Sequence, residues 1–166
     1  MEKSIIDLMA GIKETWELPD VDVRTYSPLV LAYIGDAVYE VVVRSLLVGR
    51  GNAQANRLHK EASTLVNAGA QSASLERIRE ELTEEEMQVF KRGRNANSAT
   101  MAKHATMSDY RRATGFEALM GYLYLTEQFD RMAELLGKGL EQMGELAEAE
   151  GTSTDSHALQ EAENEK

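Results

Sequence analysis

Apolar residues recur at three- and four-residue intervals along most of this chain, the period of helices packed on one face. Ile5, Ile6, Met9 and Ile12 share one side of a helix expected over residues 2–16. The pattern breaks over 17–27, a linker carrying Pro19. Ser27 and Pro28 then supply an N-cap and a first-turn proline, which gives up only a donor that would have no partner there. The helix they open should run to about Leu47, with Gly49 and Gly51 bracketing its end. Further helical stretches are expected over about 53–70 and 75–82. Thr83 and Glu86 have capping-box spacing and open a helix into Lys91. Residues 92–107 lack apolar periodicity and read as a loop. Helix resumes near Ser108 and Asp109, continues past Tyr124, and a last helix is expected over about 127–146. Period-two alternation is scarce and there is no convincing hairpin signal, so the chain reads as all-α.

A length of 166 residues suits one domain with a sizeable core. The expected organisation is an N-terminal extension with a short helix (1–24), a helical domain (25–146) and an acidic, disordered tail (147–166). No cysteine is present, which excludes disulfides and thiolate metal sites. No apolar run approaches the ~20 residues needed to span a bilayer. The first residues also lack the apolar core of a signal peptide, so the cytoplasm is the expected location.

The net charge of −10 at first argues against nucleic acid, but its distribution weakens that argument. Residues 141–166 hold eight acids against the single base Lys166, which leaves the preceding 140 residues at only −3.

Two acids interrupt apolar helical runs. Asp36 lies within Leu29–Val43, and Glu117 is the only ionisable acid or base in Ala113–Leu125 apart from its tyrosines. An unpaired carboxylate withdrawn from water costs several kcal/mol or shifts its pKa. A divalent cation shared between two packed helices is one way to keep both charged. Ala113, Thr114 and Gly121 on one helix, and Ala32 and Ala37 on the other, would allow the close approach this needs. Mg²⁺, a hard cation that prefers oxygen ligands and retains waters, suits such a pair. The competing reading has Asp36 pairing with an arginine or capping a neighbouring helix, and Glu117 facing solvent.

The second feature is the basic, Asn-containing segment Lys91–His104. From Lys91 to Arg112 there are six Lys or Arg and one acid, Asp109. Cations neutralise phosphates, while Asn and Ser hydrogen-bond to phosphate or sugar oxygens. Lys91, Arg92, Arg94, Asn95, Asn97, Ser98, Lys103, His104 and Arg111 are the candidate RNA contacts. A solvated surface loop is the competing reading. The loop runs directly into the helix that carries Glu117, so a phosphate gripped there would lie near the acid.

Leu31–Glu40 resembles the signature helix of the ribonuclease III catalytic domain, and Phe116–Leu125 resembles that domain's second acidic helix. Leu58–Ala62, Lys91–Ala96 and Tyr110-Arg111 ahead of Phe116-Glu117 look like the Mini-ribonuclease III branch. The similarity covers roughly residues 25–140.

The resemblance implies an all-helical, homodimeric, Mg²⁺-dependent endoribonuclease that cuts double-stranded RNA and leaves 5′-phosphate ends. Asp36 and Glu117 would be its catalytic, metal-binding acids, and the Lys91–His104 loop its grip on RNA. The branch implies rRNA processing and ribosome biogenesis, with the 23S ribosomal RNA precursor as substrate and a ribosomal protein as a candidate further partner. Neither DNA nor membrane is expected as a partner. Two positions depart from the pattern of most family members: Ala32 and Thr114 stand where those members carry acids. That departure keeps open the alternative of a non-catalytic RNA-binding or ribosome-assembly module on the same fold.

Overall fold

The computed structural model describes residues 5–97 and 106–141, with side chains from residue 7 onward. Its helices are α1 (Ile5–Thr15), α2 (Pro28–Gly49), α3 (Ala55–Val66), α4 (Ala68–Ile78), α5 (Glu84–Arg94), α6 (Met107–Leu125) and α7 (Phe129–Gly139). Short 3-10 turns occur at Val23–Thr25 and Arg79–Glu81, and no strand occurs among the described residues.

The starts of three helices follow directly from their caps. The Ser27 hydroxyl accepts from the Leu29 amide with Pro28 at the first position of α2. Thr83 and Glu86 complete the capping box of α5, each side chain bonding the other's backbone amide at 3.2 and 2.8 Å. Thr106 caps α6 by accepting from the Asp109 amide.

Two expected boundaries move. The helix expected over 53–70 breaks at Asn67, which ends α3 and caps α4. Its Oδ1 accepts from the Ala70 amide, while its Nδ2 donates to the Ser63 and Thr64 carbonyls. This side chain satisfies groups that a continuous helix would pair internally. The expected helix over 75–82 is instead the end of α4 and the 3-10 turn after it. Smaller shifts occur elsewhere. Arg92–Arg94 complete α5 rather than opening a loop, and α7 begins at Phe129, after Glu127 in the left-handed region at φ 58°. Residues 142–146 of the expected last helix, and the acidic tail, lie outside the described residues. Trp16 is 67% exposed.

α6 forms the axis of the domain. Ala113–Phe116 and Ala118–Leu123 are all buried, because α2, α4, α5 and α7 pack around this helix. Two closely packed seams position it. Against α5, Gly115 lies under the Phe90 ring and Gly93 meets the Thr114 carbonyl, so a Cβ at either would come within about 3 Å of its neighbours. Against α2, glycines allow backbone to meet backbone. Near that crossing Tyr39 and Phe116, both fully buried, make an edge-to-face pair with ring centroids 5.1 Å apart. The Tyr39 hydroxyl donates to the Leu65 carbonyl at 3.0 Å and ties α2 to the end of α3. Arg131 of α7 is bonded to Glu86 at 2.9 Å and to the Glu81 carbonyl, which fixes α7 to the start of α5. Among the described residues no helix is long and apolar enough to cross a membrane.

Candidate active site

The crossing of α2 and α6 brings the two acids together. A Cβ on Gly35 would lie 1.8 Å from the Glu117 carbonyl oxygen and 2.6 Å from the Gly121 amide nitrogen. A Cβ on Gly121 would lie 2.0 Å from the Leu31 carbonyl. The register of the helices is therefore set by backbone contact. Asp36 immediately follows one glycine, and Glu117 is the very residue that glycine touches.

Both carboxyl groups line one open cleft of about 570 Å³, together with Ala32, Tyr33, Val66, Tyr110 and Thr114 among others. Asp36 sits on its exposed side and Glu117 is half-buried. Burial, then the nearby charge of Glu40, raises the Asp36 pKa. Burial, then the charge of Asp36, pushes Glu117 up to about 7, while the polar amide of Gln71 pulls it the other way. Asp36 ionises first, so its charge bears on Glu117. The arginine partner that would have made Asp36 a structural ion pair is not found among the described residues. Glu40, one turn on, is held by Arg44 at 2.7 Å.

This donor set fits Mg²⁺. Two carboxylates face one cleft with no cation of the described residues against them, the second is costly to ionise alone, and there is room for several waters. No cluster of three or more His, Cys, Asp or Glu in metal-binding arrangement occurs among the described residues. Ala32 and Thr114 both line the cleft, so the missing acids are absent from the site itself. The Thr114 hydroxyl donates to the Tyr110 carbonyl at 3.0 Å, which leaves its lone pairs as acceptors.

The basic segment divides. Lys91 is exposed. Arg92 is exposed, and one of its guanidinium nitrogens donates to the Tyr26 carbonyl at 3.0 Å. The half-buried Arg94 has its guanidinium 5.7 Å from the centroid of the Phe90 ring, and its Nε donates to Asn95. Asn95 ends α5, Asn97 is exposed, and Arg111 is exposed on the second turn of α6. Ser98, Lys103 and His104 lie outside the described residues. Arg112 is drawn to Glu76 at 3.4 Å.

Sequence reasoning missed Gln71, a buried glutamine of α4 whose Nε2 donates to the Val66 carbonyl at 3.2 Å. Its only signal was a long polar side chain amid Ala70, Ser72, Ala73 and Ser74. It also missed the Val66–Ala68 corner that walls the cleft.

An all-α body in which two close helices present a pair of acids to an open cleft has oxygen donors that a divalent cation could share. The family described as Ribonuclease III domain matches residues 29–128. The chain is 43% identical over 141 residues to a Mini-ribonuclease 3 of Clostridium tetani, covering 84% of this chain and 93% of that one. It is 46% identical over 129 residues to a Mini-ribonuclease 3 of Enterococcus faecalis, covering 76% and 98%. A crystal structure of a protein from Fusobacterium nucleatum superposes with a TM-score of 0.68 at 29% identity, over 75% of this chain and 99% of that one.

The chain belongs to the ribonuclease III family, in its Mini-ribonuclease 3 branch. It is an endoribonuclease.

Proposed function

We propose that this enzyme cleaves double-stranded RNA with Mg²⁺ held between Asp36 and Glu117, and that its substrate is the precursor of 23S ribosomal RNA. The observation that carries the reading is the Gly35–Gly121 crossing, which fixes two carboxylates in one cleft. When bound, the ion would supply an activated water and stabilise charge on the phosphoryl group. The chain's own part is positional. Asp36, on the open side, and Glu117, on the shielded side, orient the attacking water. Thr114 and the cleft wall leave room for the waters that two further acids would otherwise displace. The RNA strand lies along the cations Lys91, Arg94 and Arg111, with Asn95, Asn97, Ser98, Lys103 and His104 completing the grip, and the products carry 5′-phosphates.

The working unit is a homodimer in the cytoplasm, built on residues 25–146. Exposed Val30, Tyr33, Val41, Leu46 and Val48 along α2, with Tyr33 83% exposed, support burial of this helix by a second copy. The decisive experiment is incubation of duplex RNA and of pre-23S RNA with the enzyme in Mg²⁺ and in EDTA. Cut ends with 5′-phosphates in Mg²⁺ alone are expected. Cleavage that persists in EDTA, or intact duplex in both, overturns the reading.

A further inference from the structure

α7 ends at the lip of an open groove. The Leu140 amide still bonds the Leu136 carbonyl at 2.9 Å, but the Glu141 amide bonds Lys138, three residues back, so the backbone tightens and leaves the helix line there. Leu140 itself lines a groove of about 610 Å³ between α7 and the second half of α2, with Val42 and Leu46 on one wall and Ala133 and Leu136 on the other. Leu46 is 45% exposed, and a Cβ at Gly49 or Gly137, which also line the groove, meets nothing within 4 Å. The groove lies beside the exposed stripe of Val30, Val41 and Val48 rather than on it, because Val42, Ser45 and Gly49 share the next face of α2.

The residues that follow suit this space. Met143, Leu146 and Ala147 recur at i, i+3 and i+4, with Glu145 and Glu148 on the opposite side. Glu150 continues the apolar face, and Arg50 lines the groove with a charge to meet it. Met143 follows Leu140 by three residues, a reach of at most about 11 Å. So short a tether presents the segment at an effective concentration on the order of mM, which a free partner at about μM does not match. We propose that residues 142–150 of this chain dock in the α2–α7 groove, apolar face inward, and brace the end of the helix that carries Asp36.

The chain has no cysteine, so disulfide trapping in the full-length protein has no background. Ser45→Cys, inside the groove, is combined with Met143→Cys and oxidised mildly in dilute solution, and the products are read by mass spectrometry. The bridge should form within one chain. Adding Leu146→Asp keeps the tether and removes the apolar anchor, and should slow bridging about 10-fold or more. In the cysteine-free protein Leu146→Asp should lower the melting temperature by about 2–4 °C, and Leu159→Asp, outside the segment, should not. A bridge that forms equally fast with Leu146→Asp reports tether length alone and overturns the proposal, as does no bridge at all. A bridge between two chains gives the groove to a second copy, and an unchanged melting temperature in Leu146→Asp denies the segment a seat there; either result overturns it.

Discussion

Gly35 rests directly on the carbonyl oxygen of Glu117, so close that a Cβ there would stand 1.8 Å away. Neither partner can retreat, since both atoms in conflict belong to helix backbone. Gly35→Ala should therefore separate α2 from α6, at a cost of about 3 kcal/mol or more. Gly137, also helical, has nothing within 4 Å of its Cβ position. Gly137→Ala should stabilise by about 0.5–1 kcal/mol. Urea unfolding midpoints check both, and a mild effect at Gly35 would refute the backbone contact.

Asp36→Asn should lower cleavage by at least about 10²–10³-fold while RNA retention and melting temperature stay near the parent. The side chain is exposed and pairs with no described cation, so the fold does not depend on its charge. Glu117→Gln should be as damaging to turnover, and should raise thermal stability above pH 7 by removing a charge that burial disfavours. Single-turnover cleavage with melting curves separates these effects. An Asn variant as fast as the parent excludes Asp36 from the chemistry.

The shift on Glu117 fixes the sign of a pH effect. Its folded pKa of about 7 exceeds the ordinary 4.5, chiefly through burial and then through Asp36. Between those values the folded state binds more protons than the unfolded state, so this group makes stability fall as pH rises from 4.5 to 7. The penalty is absent below that window and complete above it. Melting temperatures of the parent minus those of Glu117→Gln should accordingly decline across it. Mg²⁺ should recover the difference at pH 8 and change little at pH 5, because only the ionised acid holds the ion. A parent-minus-variant difference flat with pH would contradict the burial of this carboxyl.

The acids and the helical class were legible because their signals are local. Asp36 and Glu117 stand out against apolar neighbours, and Ser27, Thr83 and their partners mark helix starts within four residues. Gly121, one of the small residues expected to admit a second helix, does meet α2, but its counterpart there is Gly35 rather than Ala32 or Ala37. What stayed hidden depended on the tertiary structure. Asn67 reads as one polar residue in a helical run until its side chain is seen bonding carbonyls on one side and an amide on the other. Arg92 and Arg94 look alike in the sequence, yet one is taken by Tyr26, 66 positions away.

That difference between neighbouring arginines makes a further prediction. Arg94 is braced on Phe90 at the end of α5, where the basic segment begins, so Arg94→Ala should remove one phosphate contact. The slope of log affinity against log salt should fall by about 1, with affinity lost evenly across duplex sequences. Arg92 ties one guanidinium nitrogen to the Tyr26 carbonyl at 3.0 Å, just ahead of the Ser27 cap of α2. Arg92→Ala should leave the salt slope near the parent value and instead lower stability by about 1 kcal/mol, the worth of one such bond. Filter binding from 50 to 200 mM salt, with urea melts of the same variants, reads both. Equal slopes for the two variants would mean that the fold does not divide these cations between scaffold and substrate.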